Sequence, residues 1–136
     1  MNLPAALVET TLQVARPMLV AYGELTGDSN PIHLDPAFAA TTAYGRCIAH
    51  GTLSLNALWQ SIGATFDAAT AACLDLDIRF TAPVFVGEVL TGGGTLLPGT
   101  GGRYDVWVRA GDRTVIAGEL DVRPPPLTPS APDTSS

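Results

Sequence analysis

The residues of this chain best suited to chemistry lie within one short segment, residues 22–33. Asp28 supplies a carboxylate, Asn30 an amide and His33 an imidazole, and Pro31 stiffens the turn by fixing its own backbone torsion. A carboxylate and an imidazole held this close can share a water molecule and can move protons to and from a substrate. The segment therefore predicts an acid–base site.

A second informative segment spans residues 49–53, where Gly51 opens a long apolar stretch. A helix that begins at this glycine leaves its first backbone N–H groups without partners inside the helix. Such groups can bind an oxygen atom on which negative charge develops. We therefore expect the N–H of Gly51 to form an oxyanion site that faces the acid–base pair. A glycine here also suits simple close packing of the backbone, so both interpretations stay open.

The helices that must position these residues are predicted from the spacing of apolar side chains. Apolar residues at helical spacing from Arg16 predict a helix that ends near Gly27, a favoured C-terminal residue. Asp35 is expected to cap a second short helix. From Gly51 to about residue 64 the chain is apolar on several faces, which predicts a long buried helix.

Short β-prone segments precede the first helix and follow the buried one. Apolar and polar residues alternate from Leu74 onward, as in a strand with one wet face. Glycine-rich separators join the later strands, and the pair at positions 111–112 is a hairpin signal. The predicted strands span residues 11–14, 74–80, 89–97, 103–109 and 114–122. We expect an α+β domain in which a curved antiparallel sheet packs on the buried helix.

Composition limits the kinds of partner that this chain can bind. The 136 residues are 46% hydrophobic and 15% charged, so we expect one domain that covers part of its surface by oligomerising. The net charge of −6, with seven Arg and no Lys, argues against nucleic acid, because phosphate binding depends on clustered basic side chains. The absence of Lys also excludes Schiff-base chemistry.

Neither membrane insertion nor secretion is expected. No apolar run approaches the roughly 18 residues of a membrane span, and the amino terminus lacks the basic residues of a secretory signal. Cys47 and Cys73 lack metal-site spacing and are expected to be reduced thiols in a cytoplasmic protein. We assign residues 1–123 to the domain and expect the Pro- and Ser-rich residues 124–136 to be disordered.

Residues 22–33, with the small residue Ala39 beyond them, resemble the signature of the MaoC-like (R)-specific enoyl-thioester hydratases and dehydratases. Residues 48–53 and 78–84 resemble two further segments of that family, in the same order. The resemblance covers residues 14–122 and implies a single hot-dog fold, a long central helix wrapped by an antiparallel sheet, usually dimerised edge to edge. It implies reversible hydration of a trans-2-enoyl thioester, carried on coenzyme A or acyl carrier protein, with no metal or redox cofactor.

The same resemblance implies a role for each matching residue. Asp28 and His33 take the place of the catalytic dyad, Asn30 that of a supporting amide, and the N–H of Gly51 that of the oxyanion hole. The individual proton transfers are not assigned to Asp28 or His33, and Asn30 is also suited to holding the loop. His50, just before Gly51, is expected to be packed or to cap the helix.

Substrate-binding residues are expected on the helix that begins at Gly51. Ser54 either lines the site or bonds a backbone carbonyl. The spacing of Leu55, Trp59 and Ile62 is typical of core residues, yet a helix that starts at the oxyanion site must also form the floor of an acyl pocket. We hypothesise that Trp59 and Ile62 limit the depth of that pocket.

Two other functions are compatible with the same fold. One is a non-catalytic acyl-thioester-binding subunit of a heteromeric hydratase, which loss of Asp28 or His33 would indicate, and both are present. The other is a hot-dog thioesterase, which would release a thiol, whereas hydration leaves the thioester intact. The choice of carrier stays open, since neither a basic run for an acidic carrier protein nor a phosphate loop for coenzyme A is visible.

Overall fold

A computed structural model describes residues 3–123, so the predicted disordered tail lies outside the described residues. Most of the helices precede most of the strands along the chain, which is the order expected of an α+β domain. In chain order they are β1 Thr10–Gln13, α1 Arg16–Thr26, α2 Pro31–Leu34, α3 Pro36–Ala39, α4 Gly51–Ser54, α5 Asn56–Thr65, α6 Ala68–Ala71, β2 Leu74–Phe80, β3 Val89–Leu96, β4 Arg103–Ala110 and β5 Arg113–Val122.

The strands form one antiparallel sheet in the order β1-β3-β4-β5-β2. Strands β4 and β5 join through the predicted hairpin, in which Ala110 pairs with Arg113 and Gly111 adopts a φ of 62°. A positive φ is a conformation that glycine adopts without steric cost, so the Gly-Asp separator fixes this register. Strand β2 lies at one end of the sheet and leaves its outer edge unpaired among the described residues.

Helix α5 packs against β1, β3 and β4 of the sheet. The approach is close, because a Cβ on Gly92 would collide with the carbonyl of Ala57, and Thr10 donates a hydrogen bond to that same carbonyl at 2.9 Å. Leu58 and Ile62 point from the helix into a core completed by strand residues, and both are at most 1% exposed. This arrangement is the single hot-dog fold.

The long helix predicted from Gly51 is not continuous. It divides at Leu55 into α4 and α5, although Leu55 keeps helical torsions (φ −62°, ψ −22°) and accepts a hydrogen bond from Trp59 N–H at 3.1 Å. The hydroxyl of Ser54 donates to the carbonyl of His50 at 3.4 Å beside the helical bond from its own N–H, and the N–H of Leu58 bonds to Leu55 at 3.0 Å, a three-residue spacing that interrupts the α-helical pattern. The prediction of one uninterrupted helix was therefore wrong at this residue.

The other predicted elements are present with small shifts at their ends, and two short helices were not predicted. Helix α1 ends at Gly27 with a φ of 75°, and Asp35 caps α3 by accepting hydrogen bonds from two backbone N–H groups. The unpredicted helices are α2 and α6, each of a single turn. Within the described residues, none of these helices has the length and hydrophobicity to cross a bilayer.

The loop between β2 and β3 is held by an ion pair. Arg113 donates to both carboxylate oxygens of Glu88, at 2.8 and 3.0 Å, and also to the carbonyl of Pro83 at 2.8 Å. Glu88 accepts a further hydrogen bond from Phe85 N–H at 2.8 Å. The Arg113 guanidinium, and to a smaller degree the Phe85 N–H, hold the pKa of Glu88 below its usual range against the opposing effect of burial.

Glu88→Gln is expected to lower the free energy of unfolding by about 1–2 kcal/mol, because it breaks a bidentate, charge-assisted pair. A carboxyl whose pKa is lowered by folding stabilises the protein above the unfolded-state pKa, 4.5 for glutamate, and this contribution is lost as pH falls through the folded-state value. Urea denaturation should therefore give a lower free energy of unfolding for Glu88→Gln than for the wild type near neutral pH. This difference should disappear in acid.

The matched control is Glu119→Gln. Glu119 lies 3.8 Å from Arg103 and both side chains are about half exposed, so its loss should change stability by less than about 0.5 kcal/mol. Equal effects of the two substitutions would show that the Glu88 pair is no more important than an exposed one.

Candidate active site

Asp28 and His33 are positioned by the turn between α1 and α2. Gly27 ends α1 in the left-handed conformation, and Asp28 Oδ1 then accepts a long hydrogen bond from Asn30 N–H at 3.3 Å. Asn30 caps α2, its side-chain oxygen accepting from Ile32 N–H at 3.0 Å, and Pro31 is the first helical residue. The residues that looked like a stiffened turn therefore form a capped helical turn that carries His33.

The two side chains face each other at more than hydrogen-bond distance, with His33 Nε2 lying 3.8 Å from Asp28 Oδ2. His33 Nδ1 lies 2.7 Å from the carbonyl of Ile48, which can only accept, so we assign the proton to Nδ1 and leave Nε2 as an acceptor. The histidine side chain is 11% exposed and the carboxylate 52%. The buried Nε2 of His33 thus faces the accessible carboxylate of Asp28. A water molecule between these two acceptors could donate a hydrogen bond to each.

His50 joins this pair, which its sequence position gave no reason to expect. Its ring stacks on that of His33, with centroids 3.9 Å apart and planes at 26°, and its Nε2 lies 3.0 Å from the backbone carbonyl of Asp28. Tyr22 approaches the same ring edge-on at 5.0 Å. His50 is the N-cap residue of α4 but makes no capping hydrogen bond with its side chain. Of the two roles expected for it, the structure shows the packed one.

Gly51 follows His50 as the first residue of α4, and no acceptor among residues 3–123 pairs with its backbone N–H. A Cβ built on it would lie 3.1 Å from the ring of Phe80, so the strand β2 residue packs directly on the glycine. Beside it is a cleft of about 380 Å³. Its walls are mostly apolar and come from Tyr44, Ile48, Ala49, Gly51, Ser54, residues 80–84, Val115 and Ile116.

Ser54 combines the two roles considered for it. Its hydroxyl donates to the carbonyl of His50, and the residue also lines the cleft beside Gly51. Ser54 and Gly51 therefore line the same cleft. His50 connects both residues to the Asp28–His33 pair. Their individual roles stay predictions.

The predicted acyl-pocket residues lie apart from this group. Trp59 is 46% exposed and borders a second groove, of about 420 Å³, that shares no lining residue with the first. Ile62 is buried in the core at 1% exposure, and Leu55 is half-buried against the core. The second groove is lined by Leu12, Met18, Leu53, Asn56, Trp59 and Gln60. The structure therefore has two separate clefts, and the helical spacing alone could not show which residues line which cleft.

Asp28, His33 and His50 each offer one potential metal ligand, and these atoms lie within 4.8 Å of one another. The lone pairs of an imidazole lie in the ring plane, and the two rings here are nearly parallel. Their lone pairs are therefore poorly directed toward one ion. The arrangement suits proton transfer better than metal binding.

Comparisons with known proteins agree with this geometry. Residues 5–114 match the model of the MaoC-like domain. The chain is 41% identical over 73 residues to an (R)-specific enoyl-CoA hydratase of Aeromonas caviae, covering 54% of each chain. It is 32% identical over 121 residues to the peroxisomal enoyl-CoA hydratase 2 of Arabidopsis thaliana, covering 88% of this chain and 38% of the relative. The matched region thus spans about half or less of these curated relatives.

A solved structure resembles nearly the whole chain. The R-hydratase PhaJ1 of Pseudomonas aeruginosa, in its unliganded form, superposes with a TM-score of 0.74 and 27% identity, covering 100% of this chain and 94% of that one. The fold that surrounds the Asp28–His33 pair is therefore also the fold of an R-hydratase.

Proposed function

The chain belongs to the MaoC-like domain family, and on that premise we propose that it adds water to a trans-2-enoyl thioester to give an (R)-3-hydroxyacyl thioester, or catalyses the reverse dehydration. The observation that carries the proposal is the spacing of the Asp28–His33 pair. Two acceptors 3.8 Å apart, one buried and one accessible, are arranged to hold one water molecule by both of its hydrogens. Water held in this way is the reactant that the addition requires.

The chemistry needs three groups in one place. One member of the pair takes a proton from the water as the water oxygen bonds to C3 of the substrate, and a proton from the pair is delivered to C2. Between these events the thioester oxygen gains enolate-like charge, which the N–H of Gly51, without an acceptor among the described residues, is suited to stabilise. Dehydration uses the same contacts in the opposite order, so one site serves both directions.

We further propose that the chain works as a homodimer, on coenzyme A or acyl carrier protein thioesters, in the cytoplasm. No strand among residues 3–123 pairs with the outer edge of β2, and this edge and the half-exposed Phe80 of β2 support a second copy there. Cys47 and Cys73 are both free thiols, which suits a reducing compartment. Light scattering would test the dimer directly.

The first experiment measures the loss of conjugated enoyl-thioester absorbance. The substrates are crotonyl-coenzyme A and the same acyl group on acyl carrier protein. Hydration predicts loss of absorbance, an (R)-3-hydroxy product and no thiol release in an Ellman assay. Thiol release would identify a thioesterase instead. A folded protein inactive with both carriers would leave the non-catalytic acyl-binding subunit as the better proposal.

Trp59→Ala tests which cleft receives the acyl chain. If the groove beside Trp59 is the acyl pocket, removal of the indole deepens it, and kcat/KM for octenoyl-coenzyme A relative to crotonyl-coenzyme A should rise at least about tenfold. The matched variant is Ala82→Leu, which narrows the cleft beside Gly51. If Ala82→Leu alone changes the chain-length profile, the acyl chain lies in that cleft and the hypothesis for Trp59 is wrong.

A further inference from the structure

We infer that His50 is a positioning residue for the Asp28–His33 pair and does not act as a second base. The inference rests on contacts that join three parts of the site. His50 bonds to the backbone of Asp28, stacks on the ring of His33, and precedes Gly51 in the chain. At 3% exposure it is too deeply buried to meet substrate itself.

The hydrogen-bond partners of His50 fix its tautomer. Its Nε2 lies 3.0 Å from the carbonyl of Asp28, which can only accept, so Nε2 carries the proton. Its Nδ1 is buried and has no hydrogen-bond partner among the described residues. These contacts therefore favour the tautomer with the proton on Nε2.

The two stacked histidines consequently hold opposite tautomers. His33 carries its proton on Nδ1, donating to Ile48, and keeps Nε2 free to accept, whereas His50 carries its proton on Nε2 and is anchored to Asp28. The bond from His50 fixes the backbone of the residue that bears the carboxylate. The stack fixes the plane of the His33 ring. Together the two contacts maintain the 3.8 Å spacing in which we place the reacting water.

The contacts around His50 favour a positioning role over a catalytic one. Tyr22 packs edge-on against it, and the Tyr22 hydroxyl lies 2.6 Å from the Thr52 hydroxyl on α4. Ser54 donates to its backbone carbonyl. These contacts connect α1, the turn that carries Asp28 and α4 to the His50 residue. We therefore expect a small displacement of His50 to shift all three. A misplacement of about 1 Å in a catalytic group can cost roughly 100-fold in rate.

Two substitutions separate the contacts. His50→Phe keeps a ring that can stack on His33 but cannot donate to Asp28, and His50→Gln keeps an N–H near the position of Nε2 without the aromatic ring. We expect His50→Phe to lower kcat about 10- to 100-fold with KM changed less than about threefold. His50→Gln, which keeps the donor to Asp28 but not the stack on His33, should recover part of the loss. Tyr104→Phe, which removes a buried hydroxyl that donates to Pro4 far from this cluster, is the control for stability.

Unchanged kcat in His50→Phe would overturn the inference. The inference would also fail if His50→Phe changed kcat and KM in parallel and His50→Gln showed the same changes. It would fail too if Tyr104→Phe lost as much kcat as His50→Phe at the same melting temperature.

Nuclear magnetic resonance gives a readout that does not depend on activity. The chain has only two histidines, so long-range nitrogen–proton spectra should show two imidazoles, one protonated on Nδ1 and the other on Nε2. The backbone amide signals of residues 28–30 should broaden in His50→Phe and remain sharp in His50→Gln. Identical tautomers in the two rings would contradict the inference. If the wild type hydrates no thioester, the proposed function fails while these spectra still decide the role of His50.

Discussion

Replacing Asp28 by Asn or His33 by Asn is expected to reduce kcat for enoyl-thioester hydration by about 10²- to 10⁴-fold. Each substitution removes an acceptor while preserving the local hydrogen bonds. Asparagine at position 28 keeps an oxygen for the Asn30 N–H, and asparagine at position 33 keeps an N–H near Nδ1 for the carbonyl of Ile48. The loss therefore reports on proton transfer, and KM should change little.

The matched control for this experiment is Asp35→Asn. Asp35 is a nearby acid whose carboxylate caps α3, accepting from the N–H groups of Ala37 and Phe38, and asparagine is an equally good cap. Its kcat should stay within about threefold of the wild type. Melting temperatures of all three variants should be similar. Retention of more than about a tenth of the wild-type kcat in either Asp28→Asn or His33→Asn would remove that residue from the catalytic pair.

Much of the fold was predictable because it depends on local signals. Alternation of apolar and polar residues located β2, glycine and aspartate at positions 111–112 located the β4–β5 hairpin, and Asp35 marked the start of α3. Each signal acts over a few residues, where backbone torsions and side-chain caps dominate. Helix α2 was missed because Asn30 was interpreted as a supporting amide, whereas its side chain also caps a single turn.

Parts of the site depend on contacts between distant residues and could not be predicted in the same way. The acid and imidazole of the dyad are five residues apart and lie on one turn, so their proximity follows from spacing. His50 reaches Asp28 across 22 residues, and only the packing of α4 against the α1–α2 turn brings them together. Trp59 likewise has core spacing on α5, yet it borders a groove, because the sheet covers only part of that helix.

Gly51→Pro is expected to lower kcat by about 10²- to 10³-fold, the cost of losing one oxyanion donor. Proline removes the N–H but is favoured at the first position of a helix, which Gly51 occupies in α4. The preceding residue, His50, has a φ of −59° and a ψ of 137°, the extended conformation that a following proline requires. The backbone is therefore already compatible with the substitution.

Gly51→Ala separates the loss of the N–H from the added bulk. Alanine retains the N–H and adds the Cβ that would lie 3.1 Å from the half-exposed ring of Phe80, which can yield by a few tenths of an ångström. We expect a loss of less than about tenfold for alanine, so the difference between the two variants measures the replacement of the N–H by the carbons of the proline ring. Because the N–H acts on charge that develops during the reaction, that difference should lie in kcat and not in KM. Equal losses in both variants would instead make Gly51 a site of close packing against Phe80, and the oxyanion would need another donor.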